Sequence, residues 1–565
     1  MQLAGLTAEQ NIAEELKKKF SQDVILTTIP RAQRIMAVID KGALLSICRF
    51  LRDELDFEHL VSIAAVDRSK MVKGYNESWK PSYYDDFEIA YNLWSYSKKC
   101  LITLKAELPK ENLEIDSVTG VWRSANWHER EQFDMMGIKF ANHPDLRRLL
   151  LPFDWKGYPL RKSEPVKPAS WFISEEDKEK IELDFQEPVF ELDKTLPEKA
   201  KGNGVREMIV RFGPVHPGTH GPYLINVKLD GEIIVDLEPR IGYIHRGLEK
   251  LAENRTWYQY LPVSDRYCWL TAIFNNLSYT LAVEELLGIK PPERAEYLRV
   301  VAMELERLAS HLLWIAAMGL DLANLSAFFY PFRERELVLD LLEMMTGNRL
   351  NYNFGRFGGV YKDIDEKFIA RAKKTMAMLR ERIDEYEDLF SGSKIFLVRT
   401  KGIGNLKASD AKNLGVTGPM LRSTGVKEDT RKNEPYAAYD KIDFEIPTEK
   451  NGDVYSMYAV RMQEMRISTR IIDQALDNLP KGEIRAELPN KIEPSGEAIS
   501  RIEDARGEIA TYIVAAGEDK PYRVRIKTAE LINIYALPHM ARGYKIADLI
   551  AMIGGIDPCL GGIDR

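Results

Sequence analysis

The chain has 565 residues, too many for one ordinary core, and domains of about 100 to 200 residues predict two to four of them. With 45% apolar and 29% charged residues and no long biased tract, the composition excludes a disordered or fibrous protein. A formal net charge of -7 argues against nucleic acid as a partner, because phosphate binding draws on a Lys/Arg excess.

The opening MQLAGLTAEQNIAEELKKKF has the spacing of an amphipathic helix with mixed charges and lacks the basic-then-apolar layout of a secretory signal, so the protein is expected to stay in the cytoplasm. Residues 1 to about 180 alternate helical patterns with β-rich runs such as DFEIAYNLWSYS and CLITLKAEL, which predicts a small α+β domain. Apolar periodicity fades in the Pro- and charge-rich stretch from Ser163 through Lys201, and a connector is expected over 181–204. A second unit, 205–565, opens with the alternating segments REMIVRF, YLINVKL and EIIVDLE, in which Asp230-Gly231 supplies a tight hairpin turn.

From Ser264 the pattern turns helical: one segment to Gly288, another after Pro291-Pro292 running toward Gly319, then Glu334 to Thr346, and one capped by Asp365 that runs to Leu389. The stretch from about Val398 to Asp453 is loop-rich, GDVYSMYAVRMQEMRISTRIIDQAL returns to helical spacing, and the tail mixes strands with a last helix near Ile546 to Ile553. No run of about 18 apolar residues occurs; Leu312 to Leu320 is stopped by Asp321 after nine. The four cysteines, Cys48, Cys100, Cys268 and Cys559, form no C-x-x-C pair that could hold zinc or an iron–sulfur cluster.

Three constellations could carry chemistry. In GPVHPGTHGPY, His216 and His220 are four apart, but Pro217 and Gly218 break any helix, so the pair belongs to a turn between strands. Histidine on a scaffolded loop suits proton handling; spacing alone favours two turn histidines bonded to backbone carbonyls. In LDLANLSAFFYPFRERE, Asp321 ends an apolar helix and Arg333 and Arg335 follow an aromatic cluster. Surface ion pairs would explain it, yet an acid at the end of a buried helix needs a partner, and a histidine is suitable. The third stretch, WHEREQFDMMGIKFANHPDLRRLLLPFDWKGYPLRK, is dense in Arg, His, Asp and aromatics, which suits an interface patch rather than catalysis.

The last of these stretches closely resembles the signature of the C-type, thirty-kilodalton subunit of respiratory complex I. GPVHPGTHGPY, IGYIHRGLEKLAENRTWYQ, LAVEELLG, ELERLASHLLW, LDLANLSAFFYPFRERE and GVTGPMLRSTG resemble, in order, the D-type, forty-nine-kilodalton subunit across most of 205–565. The resemblance implies a fused C/D arrangement: a small α+β domain joined to a hydrogenase-large-subunit-like unit with a β-rich beginning and a helix bundle. It implies a peripheral subunit on the cytoplasmic face of the cell membrane, acting only within a multisubunit NADH-quinone oxidoreductase that couples electron transfer to proton translocation. The implied partners are the B-type cluster subunit, the I-type ferredoxin-like subunit, the G-type subunit and the membrane H-type subunit. Quinone is the implied substrate; iron–sulfur clusters lie on partners, and this chain binds no cofactor of its own.

Residue by residue, the resemblance makes His220 the headgroup ligand and Asp321 its acidic partner, with His216, Cys268, Trp269 and Thr271 around the quinone and Arg246 near the partner's cluster. Trp269 stands where the D-type pattern has a tyrosine; an indole N–H donates a hydrogen bond but delivers no proton. D-type subunits are related to nickel–iron hydrogenase large subunits, whose metal is held by two C-x-x-C pairs. Here those positions are Cys268 with Thr271 and Cys559 with Gly562, two thiols of four, so no metal is expected. The cysteines are then small buried hydrophobes, or a close pair that joins as a disulfide or reacts with a substrate other than quinone. Rival readings are the large subunit of a hydrogenase-like or sulfur-reducing membrane complex, favoured by those thiols, and a scaffold with an inactive pocket, favoured by Trp269.

Overall fold

The computed structural model describes residues 7–71, 86–166 and 207–565. The connector expected at 181–204 lies outside the described residues. The architecture is α+β, as the alternation of patterns predicts.

In residues 7–166 a five-stranded sheet runs in the order Val24–Arg31, Arg34–Ile39, Cys100–Leu108, Phe87–Ser95, His59–Asp67. All pairings are antiparallel except Arg34–Ile39 with Cys100–Leu108. His59–Asp67 and Phe87–Ser95 are buried at every position, so neither reads as a clean polar/apolar alternation. One face meets the core beneath the helices Leu44–Asp53 and Ala125–Met136. On the other, Val61, Ala64, Ala90 and Trp94 pack on Ile499, Ala510, Tyr512 and Val514 of a second sheet.

That second sheet, Ser495–Glu503, Glu508–Ala516 and Arg523–Lys527, belongs to the other end of the chain. Between the sheets lie charges that are matched rather than absent. His59 meets Glu508 at 3.2 Å, Lys527 bonds the same carboxylate at 3.0 Å, and the Arg501 guanidinium lies 3.9 Å over the Trp94 ring.

Residues 207–240 form a three-stranded antiparallel sheet, Glu207–Phe212, Leu224–Asp230 and Ile233–Arg240. Asp230 pairs with Ile233, so Gly231 and Glu232 make the turn, and Gly231 supplies the positive φ of 62° that its first position requires. A bundle follows, built from Ala272–Leu287, Glu293–Asp321, Leu325–Thr346, Glu366–Ser391 and Val454–Asp477. Glu293–Asp321 is its axis, and Gly319 lets Leu325–Thr346 approach so closely that an added Cβ would lie 2.9 Å from that of Ala327. No helix among the described residues is long and apolar enough to cross a membrane.

Several boundaries differ from the sequence reading. The helical pattern from Ser264 is two helices, Trp257–Ser264 and Ala272–Leu287, and the break between them exposes Trp269. The helix expected from Glu334 begins at Leu325, because Asn324 caps it by accepting from the Ala327 N–H and Pro331 is tolerated seven residues in. Asp365 caps its helix as expected, accepting from Phe368. The helix expected over Ile546 to Ile553 extends to Ile556, and a further helix, Leu560–Asp564, follows it.

Candidate functional site

The H-P-x-x-H turn joins Glu207–Phe212 to Leu224–Asp230. Pro217–Thr219 makes a short 3-10 turn, and His216 caps it through Nδ1, which accepts from the Gly218 N–H at 3.1 Å. The His216 ring also lies against Phe212, with centroids 3.9 Å apart. His220 closes the turn in the left-handed region at φ 55°, an uncommon conformation for a residue with a Cβ, and this turns its imidazole inward.

There His220 Nε2 meets Asp321 Oδ2 at 2.8 Å. Asp321 is delivered by the last turn of the axial helix. Gly554 of Ile546–Ile556 crosses above it, where a Cβ would stand 3.2 Å from the same carboxylate oxygen. Burial alone would drive His220 toward its neutral form, but the hydrogen bond and the charge of Asp321 outweigh it, and the imidazole's pKa is held above the ordinary histidine value.

The pair sits in the wall of a cavity of about 700 Å³. Its lining is largely oily, with Leu270, Leu313, Trp314, Leu320, Phe328 and Phe332, and its polar groups converge from several segments: His220, Asp321, Arg246, Arg266, Trp269 and Asp557. A few polar groups in an apolar enclosure of this size is the usual form of a small-molecule site. Trp269 is 44% exposed and Leu320 48%, so the rim faces outward. Arg246 lies on the rim too, with Nη2 donating to the Arg266 carbonyl at 2.6 Å.

Three residues expected around the ligand do not line the cavity. His216 is spent on its own turn. Thr271 is fully buried at the start of Ala272–Leu287, and Cys268 points behind the wall, where its Sγ lies 2.8 Å from Cys559 Sγ. Cys559 does reach the cavity. Gly562 leaves space that Glu530 occupies: a Cβ there would be 2.8 Å from its Oε1. Cys268, Cys559 and Glu530 are the described residues whose ligand atoms converge closely enough to hold a metal, all within 4.8 Å. The two sulfurs as they stand are too close for that, since two thiolates on one tetrahedral zinc lie about 3.8 Å apart.

Glu530 and Asp557 carry no motif and were missed in the sequence; only folding brings them beside Cys268 and the cavity. The dense stretch around Trp127 is an interface, as expected, but one made within the chain. Glu131 accepts from Arg525 at 2.8 Å and Arg565 at 2.6 Å, and Asp134 Oδ2 takes the N–H groups of Leu149, Leu150 and Leu151. That holds the segment against Gly242, whose φ is 104° and whose added Cβ would fall 2.1 Å from the Leu150 carbonyl oxygen. The same loop is clamped to the C-terminus, where Asp564 accepts from Gly242 and Ile244.

An α+β chain with an acid-steadied histidine in the wall of an oily cavity has the form of a protein with a small-molecule site, and comparison with known proteins gives its family. Residues 37–170 match the family model described as the respiratory-chain NADH dehydrogenase 30 Kd subunit, and residues 321–493 and 489–565 that of the 49 Kd subunit. A fused C/D-type NADH-quinone oxidoreductase subunit of Acidiphilium cryptum is 36% identical, covering 99% of this chain and 98% of the relative. Its counterpart in Nitrosospira multiformis is 36% identical over 91% and 88%. A D-type NADH-quinone oxidoreductase subunit of Dehalococcoides mccartyi is 49% identical over 63% of this chain and 98% of its own length. The chain belongs to the family of fused C/D-type subunits of NADH-quinone oxidoreductase.

Proposed function

We propose that this chain forms the protein wall of the quinone-reduction site in a complex I, with 1–180 acting as the C-type unit, 181–204 as the linker and 205–565 as the D-type unit. The observation that carries the reading is the His220–Asp321 pair, 2.8 Å apart in the wall of an oily cavity. A quinone headgroup bound there accepts a hydrogen bond from the His220 ring, which Asp321 orients and whose charged form it favours. Electrons reach it from an iron–sulfur cluster held by the B-type subunit, and Arg246 on the rim favours the negative charge that accumulates as they arrive. His220 transfers its proton to one quinone oxygen. Trp269 orients the other end through its indole N–H and excludes water, without serving as a proton source. The oily rim around Leu320 and Trp269 is the side from which a quinone tail leaves toward the membrane, where the H-type subunit sits. Proton translocation follows in the membrane subunits.

The test is His220→Ala in the assembled complex. Quinone reduction should fall while assembly and reduction of the partner's clusters by NADH persist. Unchanged quinone turnover would count against the assignment, as would a photoreactive quinone analogue that labels neither the turn around His220 nor Trp269.

A further inference from the structure

Behind the cavity wall lies a group of side chains that quinone binding at His220 does not use. Cys559 lines the cavity, its Sγ lies 2.8 Å from that of Cys268, and both are unbridged thiols. Two glycines hold them together. Gly561 allows Leu560–Asp564 to seat on the neighbouring strand of chain, where a Cβ would lie 2.5 Å from the Tyr267 carbonyl oxygen, and Gly562 leaves room for Glu530.

Glu530 is fully buried, and neither of its oxygens has a hydrogen-bond partner; Arg506 Nε stands 4.0 Å from Oε1. A carboxyl in that state is costly to ionise, so burial raises its pKa well above the ordinary carboxylate value, and it faces the two sulfurs. Arg506 is itself anchored by Asp557 and Ser310, so a fixed positive charge lies beside the pair. The two thiols are not equivalent. The hydrogen bond from Cys268, aided by Arg506, lowers the pKa of Cys559 despite burial, whereas burial raises that of Cys268. Cys559 is the member of the pair that lines the cavity, so a bound quinone meets it first, and Cys268 behind it is placed to attack its sulfur.

We propose that Cys268 and Cys559 are a redox pair that reduces a quinone in the cavity and closes as a disulfide, which adds a second, dithiol-dependent quinone chemistry to the site. The Cys559 thiolate adds to a ring carbon, forming a C–S bond while the quinone oxygen takes up one proton. Cys268 then attacks Cys559 Sγ. The S–S bond forms, the C–S bond breaks, and its electron pair leaves on the ring as the quinol anion. The quinol anion takes up the proton that Cys268 releases, which completes the quinol. Two thiols and one quinone thus give one disulfide and one quinol, and the reverse lets quinol reopen the disulfide. Closing the pair asks only about 1 Å of side-chain movement.

The inference rests on the cavity being a quinone site, so the test measures both. The intact complex, reduced and freed of donor under anaerobic conditions, is given decylubiquinone or 2,3-dimethyl-1,4-naphthoquinone, then acid-quenched, unfolded and labelled with a polyethylene-glycol maleimide. Of the four cysteines of the chain, all four should label before quinone and two after it. A peptide cross-linked through Cys268 and Cys559 should appear, and dithiothreitol should restore four labels. In Cys268→Ser no cross-linked peptide should form, and any label lost at Cys559 should be accounted for by a quinone adduct seen as added mass. Four labels after quinone in a preparation that turns quinone over overturns the redox pair alone; four labels and no turnover overturns the quinone site with it. Stoichiometric zinc or nickel released from the chain together with two newly labelled thiols also overturns the pair, in favour of a metal site.

Discussion

Replacing Asp321 by Asn preserves the shape of the carboxylate and removes its charge, leaving burial and the charge of Arg506 opposed only by that of Asp557 at the His220 proton. The two side chains are 17% and 7% exposed, which takes them out of the surface class whose ion pairs contribute about 0–1 kcal/mol. A hydrogen bond to a charged group contributes about 1.5–3 kcal/mol. At about 1.36 kcal/mol per factor of ten, its loss slows proton delivery to quinone about 10- to 100-fold near neutral pH. The direction of the pH effect follows from the same pair. Asp321 raises the pKa of His220 against burial, so in the variant the imidazolium is lost at lower pH and the alkaline limb of the rate moves toward acid. NADH-driven reduction of decylubiquinone by the assembled complex, measured over a pH series spanning the histidine range, reads both. Asp321→Glu, which returns the charge one methylene further out, should recover part of the shift. A wild-type rate refutes the reasoning, and so does a slower rate with an unmoved alkaline limb, which would report damaged packing and not a lost proton donor.

Glu131→Ala should destabilise the full chain by about 3–5 kcal/mol in urea unfolding, because it leaves the buried guanidiniums of Arg525 and Arg565 without their shared carboxylate. Although burial opposes it, the two arginines hold Glu131 down to about 2, so its contribution is full above the ordinary carboxylate pKa of 4.5 and fades as pH falls toward 2. The difference between wild type and Glu131→Gln should therefore shrink in that acid window. Gly242→Ala should cost more than about 2 kcal/mol and loosen the segment around Leu150 to proteolysis, since its Cβ has no space. Gly231→Ala, at φ 62° with nothing within 4 Å, should cost about 1 kcal/mol by thermal melting. Trp269→Phe should raise KM for quinone and leave kcat unchanged; a collapse of kcat would show that the indole does more than orient.

What the sequence disclosed was local. Asp365 as a cap, Gly231 in a hairpin and the break at Pro217-Gly218 are each decided within four residues, and the structure has them where the sequence put them. Asp321 was legible as an acid that needs a partner, because a buried helix does not end on a free carboxylate without cost. Its partner was a guess until His220 stood 2.8 Å away. The sequence misled where tertiary packing overrides local signals. The helix expected from Glu334 starts nine residues earlier at Leu325 and runs through Pro331, because Asn324 caps it and the axial helix packs along it. The short helix Leu560–Asp564 lies beyond the last helix expected, and its Gly561 and Gly562 sit where closeness to Tyr267 and Glu530 leaves no room for a side chain. Glu530 could not have been found, since its surroundings come from segments hundreds of positions apart.

The placement of buried charge also says why the two halves work as one body. His59–Asp67 is an edge strand, and an unpaired edge is a liability that proteins cover. Among the described residues no further strand pairs with it; instead Arg525 Nε donates to the Ile63 carbonyl at 2.9 Å and Arg523 Nε to that of Ala65 at 3.0 Å. The two residues between which those arginines alternate, Val524 and Ile526, turn to the opposite core, so one five-residue strand satisfies an edge on one side and packs a hydrophobic cluster on the other. Arg525 then shares Glu131 with Arg565, the last residue of the same segment that carries Asp557, Cys559 and the clamp on Gly242. A disturbance at Glu131, on the first half, is thus two contacts from the wall of the cavity on the second. Substitutions there should alter quinone KM as well as stability, and a change in stability with no change in KM would mean that the C-terminal segment holds its place without the first half.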